Sequence, residues 1–261
     1  MATLHGETAK YPKAQAERKY MLLVLTFSAI AMTAGVLIGV SFMQKNILLA
    51  LLSAVAGLVS VPMIMRPLNG VIRRLGKERI WYWRGAQVEA LVAWIIKVEL
   101  DANWHLFNSV KLQENWDIDH VLVGPGGLFV ISTKSQRGCF SVGADGTLLL
   151  NGKRSEMARE ALGQALELRS RLEALMGADV PFVQAILAAP FAYTDFAETS
   201  QTVWVLHQEN LSDTLEREAK KKRISAEQVR RTLRSVETLA SNAEKLYRKP
   251  LPEPAVADGS R

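Results

Sequence analysis

Hydrophobic positions fall into two regimes along this chain. No charged residue interrupts 21–44, and none interrupts 47–65. Beyond Arg84 the apolar residues recur instead at helical or strand spacing, separated by polar turns. At a rise of roughly 1.5 Å per residue, each long run measures on the order of 30 Å, one hydrocarbon core. The pair is expected to form a two-helix transmembrane hairpin over 20–66, turning at Gln44, Lys45 and Asn46. A cleaved signal peptide is a poor fit, because the first run is too long and a second follows it.

In the second regime, Val88, Leu91, Val92, Ile95 and Ile96 predict a helix over 84–100. A strand is expected around 104–112. The short apolar runs 118–123 and 128–133 flank Gly124, Pro125, Gly126 and Gly127, which reads as a β-hairpin. Both runs are apolar on both faces, as in a sheet covered on two sides. A long helix is expected over 154–176, with Met157, Ala161, Leu162, Ala165, Leu168, Leu172 and Leu175 as its buried stripe. Buried strands follow at 182–188 and 202–207, then helices at 212–222 and 225–248. The last helix opens with Ser225 and Gln228 in capping-box spacing. The expected fold class is α/β, a mixed β-sheet flanked by helices behind the transmembrane hairpin. The expected divisions are an N-terminal segment (1–19), the hairpin (20–66), a basic linker (67–83), the α/β domain (84–210), basic helices (211–249) and a disordered tail (250–261).

Charge changes the picture by where it sits. The chain holds 32 Lys+Arg and 26 Asp+Glu. Residues 1–84 carry 11 Lys/Arg against 3 Asp/Glu, and the remaining 177 carry 21 against 23. The basic excess therefore flanks the apolar runs and is not by itself a nucleic-acid signature. Lys10, Lys13, Arg18 and Lys19 precede the hairpin, Arg66, Arg73, Arg74, Lys77, Arg79 and Arg84 follow it, and only Lys45 lies in its turn. The positive-inside rule then implies an integral protein of a bacterial inner membrane with both termini cytoplasmic and Trp81 and Trp83 as interfacial anchors. The single cysteine, Cys139, excludes an internal disulfide and a four-cysteine zinc site, and suits a reducing compartment. One later patch is basic: Lys220, Lys221, Lys222 and Arg223, with Arg230 and Arg231. It suits a phosphate backbone or anionic lipid, although a solvated helix face is the commonest reason for such runs.

Counting outward from Val123 opposite Leu128 sets Asp119 opposite Ser132. Period-two alternation then projects Asp117, Asp119, Ser132 and Lys134 to one face. A carboxylate and a lysine on adjacent strand ends suit a divalent metal beside a charged phosphate oxygen, and Glu89 on the preceding helix is a further carboxylate for that place. His120 points to the opposite face.

The stretches Gly85-Ala86-Gln87-Val88-Glu89 and 117–134, together with Gln164, resemble the nuclease-related domain, NERD, a branch of the PD-(D/E)XK nuclease superfamily. The resemblance covers about 84–190. It implies a restriction-endonuclease-like mixed sheet and Mg²⁺- or Mn²⁺-dependent cleavage of nucleic acid. It also assigns catalytic roles to Asp119, Lys134, Glu89 and Gln164, with Asp119 and Glu89 on the metal. One departure stands out. The family usually reads Ile-Glu-Thr-Lys where this chain has Ile131-Ser132-Thr133-Lys134, and a neutral hydroxyl is a poor Mg²⁺ ligand. Asp117 is the substitute ligand on the same predicted face, with Glu156 and Glu160 as further candidates.

The expected function is therefore a membrane-anchored nuclease-related protein that processes or binds DNA or RNA at the cytoplasmic membrane face. The alternatives are a catalytically silent scaffold in a membrane complex and a nucleic-acid-binding module without cleavage.

Overall fold

The computed structural model describes residues 1–6, 10–43, 47–113, 116–196 and 202–247. The chain divides into a helical unit, Lys10–Ala86, and an α/β unit formed by Met1–Ala9 and Gln87–Arg261. In chain order the elements are β1 (Thr3–His5), α1 (Lys10–Met43), α2 (Ile47–Glu99), β2 (His105–Gln113), β3 (Trp116–Gly124), β4 (Gly127–Thr133), β5 (Gly138–Val142), β6 (Leu148–Leu150), β7 (Lys153–Arg154), α3 (Met157–Met176), β8 (Val183–Ala188), β9 (Ala192–Thr194), β10 (Val203–Leu206), α4 (Gln208–Lys220) and α5 (Ala226–Tyr247).

The helical unit departs from expectation. Helix α1 starts at Lys10, well before the first apolar run, and α2 continues past Met65 for 53 residues in all. The flanking charges thus lie inside the helices, and three of them find partners there. Lys19 Nζ meets the Glu78 carboxylate at 2.6 Å, Arg74 meets it at 3.0 Å, and the Arg79 guanidinium sits 4.5 Å from the centre of the Tyr20 ring. Among the described residues no helix is long and apolar enough to cross a membrane. That finding overturns the expected integral-membrane placement with two spans and cytoplasmic termini, and with it the anchoring role of Trp81 and Trp83. The turn at 44–46, the side chains of 47–65 and the tail at 250–261 lie outside the described residues.

In the α/β unit the main sheet has the order β1-β2-β3-β4-β8-β10. Strands β2, β3 and β4 are antiparallel neighbours, whereas β1 joins β2, and β8 joins both β4 and β10, in parallel. The mixed α/β architecture agrees with expectation. Helices cover both faces, which is why β3 and β4 tolerate apolar residues at almost every position. On one face Val121, Val123, Leu128 and Val130 pack against Ala161, Ala165, Leu168 and Leu172 of α3 and Val236 of α5. On the other, Leu122, Phe129 and Ile131 pack against Val92, Ala93 and Ile96 of α2 and Leu211 and Leu215 of α4.

Gly124 pairs with Gly127, leaving Pro125 and Gly126 as a two-residue turn. Gly127 adopts φ 138°, a conformation that side-chain-bearing residues rarely take. The Ser225 hydroxyl accepts from the Gln228 amide at 3.1 Å, as capping geometry requires. In α3, Leu175 is exposed and Gln164 occupies a buried place instead. A second sheet, β7-β6-β5-β9, was not expected. Its strands are two to five residues long and surrounded by glycines, too short to show a period.

Candidate functional site

The β3–β4 register has Val123 opposite Leu128 and His120 opposite Ile131, the same diagonal reached by counting along the sequence. Continuing it brings the ends of the two strands together at Asp119, Ser132 and Thr133. Alternation is interrupted there. Asn108 pairs with His120 and Val110 with Ile118, and the intervening Ser109 takes φ 52°. Phe107 and Val110 on β2, like Ile118 and Val121 on β3, consequently join the same core although three residues apart. A left-handed serine is a sparsely populated state that the surrounding structure must impose.

At this kink the Asp119 Oδ2 atom accepts two hydrogen bonds from Thr133, from its backbone N–H at 2.6 Å and its hydroxyl at 3.0 Å. The carboxylate is therefore clamped to the residue before Lys134. Lys134 is itself tied into the sheet by its backbone N–H to the Ala188 carbonyl, 2.9 Å. Its ammonium reaches the Glu160 carboxylate on α3 at 3.1 Å. Ser132 is buried on β4 and pairs with Leu187 of β8. Gln164 donates from Nε2 to the Asp117 carbonyl at 3.1 Å, latching α3 to the start of β3. Its Oε1 is a buried acceptor without a hydrogen-bond partner.

Burial pushes the Asp119 carboxyl up to about 6, against the pull of the Thr133 hydrogen bonds and the Lys134 charge; Asp117 adds to the rise. Burial also raises Asp117, opposed by its own backbone amide and by Lys111. His120 lies on the other side of the strand, with Nδ1 2.8 Å from Asn108 Oδ1, while Asn108 Nδ2 donates to the Gly6 carbonyl at 3.3 Å. Because that carbonyl can only accept, the amide orientation is settled and Nδ1 carries the proton. Nε2 is then a lone-pair acceptor facing the Glu89 backbone, and it forms no hydrogen bond of ordinary geometry.

Glu89 is 5% exposed on α2, whose neighbouring Val92 and Ala93 belong to the core on the α2 and α4 face. Glu156 stands at the N-cap position of α3 without a side-chain capping bond, and its carboxylate pairs with Arg159 and Arg154. Among the described residues no three His, Cys, Asp or Glu side chains are grouped to hold a metal ion, so Asp119, Asp117 and Glu89 do not form one closed ligand set. In the basic segment, Lys221 and Arg223 pair with Glu218, Arg230 with Glu227, and Arg231 with Asp179, while Lys220 and Lys222 are exposed.

Thr133 is the residue that sequence reasoning passed over. The register count alone puts its N–H within reach of position 119, and that was the available signal.

Residues 84–190 match the nuclease-related domain, NERD. The match spans the end of α2, the β2–β4 meander, the second sheet's first three strands, α3 and β8, and so includes Glu89, Asp119, Lys134 and Gln164. No curated protein and no solved structure matches the chain.

The raised Asp119 carboxyl has a signed consequence. The unfolded chain ionises near the ordinary value of 3.8 and the folded chain only near 6. The stability contributed by this group is complete below pH about 4 and is lost as pH rises through about 6. Asp119→Asn is expected to stabilise the protein at pH 7.5 by on the order of 1–3 kcal/mol and to bring no such gain at pH 3.5. Paired urea titrations check this; an equal effect at both pH values would contradict it.

Proposed function

We propose that the NERD stretch acts on nucleic-acid phosphodiesters at the ends of β3 and β4, binding the backbone there and cleaving it with a divalent cation. The observation that carries this reading is the clamp of Asp119 on Thr133, the residue before Lys134, which fixes a buried acidic group on a hydrogen-bonded strand pair within the influence of the Lys134 charge. Lys134 would neutralise charge developing on the phosphoryl oxygens, and Gln164 would hold the Asp117–Asp119 segment in place. Mg²⁺ is commonly bound through one or two carboxylates, with waters and substrate phosphate completing its shell. Asp119, with Asp117 as a neighbouring carboxylate, meets that minimum. The ion would supply Lewis acidity and lower the pKa of an attacking water.

Exposed aromatics support a single-stranded substrate. Tyr193 is 65% exposed on β9, which pairs with β5, the next strand in the chain after Lys134, and the Arg137 guanidinium lies 5.8 Å from the Phe191 ring centre. Such surfaces stack bases without regard to sequence. Lys220 and Lys222 are the cations of the basic segment proposed to meet backbone phosphates.

Ser132 favours a second reading, a domain that holds nucleic acid or a protein partner without cutting. A cleavage assay on the full chain with Mg²⁺ or Mn²⁺, using single- and double-stranded DNA and RNA, separates the two. The enzyme reading expects cleavage that chelation stops and that Lys134→Ala lowers by roughly 100-fold or more. A silent parent that binds single strands, and is awakened by Ser132→Glu, supports the second. Absence of both binding and cleavage would overturn the nucleic-acid assignment.

A further inference from the structure

Helix α1 leaves one side of its uncharged stretch open. Leu23, Thr26 and Ile30 are half-buried and mark one side of the helix. On the opposite side Met21, Leu25, Ser28, Met32, Gly35 and Gly39 are all exposed, the three large residues at 65%, 60% and 74%. They follow one another at steps of four and three residues in turn, which keeps them in a single line along a helix. Val36, beside that line, is 57% exposed. A continuous apolar stripe left open on a surface marks a place for a partner. We infer that the partner is a second copy of this chain, docked antiparallel through the same stripe as a two-fold pair.

Large and small residues are ordered for that partner. About an axis level with residue 30, Met21 meets Gly39, Leu25 meets Gly35 and Ser28 meets Met32, so every layer sets a long side chain against a short one. Helices pack closely where a large side chain enters the space that a small one leaves. A β-carbon built on Gly35 or on Gly39 would meet nothing within 4 Å, so the hole over each glycine is open within the chain itself. A parallel pair would set methionine on methionine and glycine on glycine, alternating crowding with voids.

Charge selects the same orientation. The start of α1 carries Lys10, Lys13 and Arg18 against Glu17. Antiparallel docking puts the two basic ends roughly 50 Å apart at 1.5 Å per residue, several Debye lengths, whereas parallel docking abuts them. Area suffices as well. With the four large side chains of the stripe offering roughly 120 Å² each and the small residues between them, a pair covers on the order of 1,200 Å², the size at which specific interfaces begin. The inference does not depend on cleavage at Asp119 and stands if that reading fails.

Sedimentation equilibrium of the full chain tests it. The parent should sediment at twice the 28.9 kDa of one chain. Gly35→Leu raises helix propensity, and its β-carbon meets nothing in its own chain. It should nevertheless weaken the pair roughly 100-fold, because it fills the hole for Leu25 on both sides of the axis. Leu25→Ala combined with Gly35→Leu exchanges knob and hole and should restore affinity to within about tenfold of the parent. Orientation is read from oxidative cross-linking in a Cys139→Ser background. Chains with Met21→Cys and chains with Gly39→Cys should link to one another and neither to itself. A monomer at every concentration, a monomer that floats with phospholipid vesicles, a pair indifferent to Gly35→Leu, a pair that the exchange fails to repair, or self-linking of Met21→Cys chains would overturn it.

Discussion

Gly124→Ala is expected to cost about 3 kcal/mol or more, enough to unfold a domain of ordinary stability. A β-carbon on Gly124 would lie 2.1 Å from Cε3 of Trp104 and 2.4 Å from its Cδ2. The indole has nowhere to retreat: Trp104 is 2% exposed and packs on Phe129 with ring centres 5.9 Å apart. The strand cannot yield cheaply either, because Gly124 pairs with Gly127 across the turn that sets the hairpin register. Guanidinium titration measures the loss. In a Trp104→Leu background, where the overlapping ring is removed, the same glycine substitution should cost far less. An identical cost in both backgrounds would sink the steric account.

Acid should destabilise the protein through His120. Burial lowers this imidazole to about 3, against an opposing pull from the Glu89 carbonyl, which accepts from Nε2 once that atom is protonated. The unfolded chain takes up this proton near 6.5 and the folded chain resists until about 3. The stability it contributes is therefore complete above pH 6.5 and is lost as pH falls towards 3. A shift of that size corresponds to roughly 4–5 kcal/mol. Asp119 acts in the opposite sense over part of the range but is shifted less, so the histidine dominates. Unfolding free energy measured from pH 7.5 to 3.5 should fall steeply in the parent and less in His120→Gln, which retains a donor for Asn108. Parallel profiles would rule out His120 as the cause.

The hairpin was legible because Gly124 to Gly127 mark a turn, and a short turn fixes the register of the two strands that it joins. Ser225 and Gln228 were legible for a similar reason: a cap is a local contact between residues three apart. The clamp on Asp119 was half legible. Register brought it near Thr133, but nothing in the local pattern says that Thr133 donates both its backbone N–H and its hydroxyl to one carboxylate oxygen. The membrane hairpin failed for a related reason. An uncharged run records only its own composition, whereas α1 and α2 carry their apolar stretches and charged residues in the same helices, with Lys19 and Arg74 meeting Glu78.

Local patterning thus determined the order of the central strands and helices, the hairpin register and the Ser225 cap, since each depends on residues close in the chain. Tertiary structure alone decided that α2 runs on into the α/β unit, that Glu160 reaches Lys134 across 26 residues, and that Gln184, Glu218 and Gln228 meet around one cavity. Those partners are distant in sequence, and no periodicity encodes a contact made only when separate elements pack.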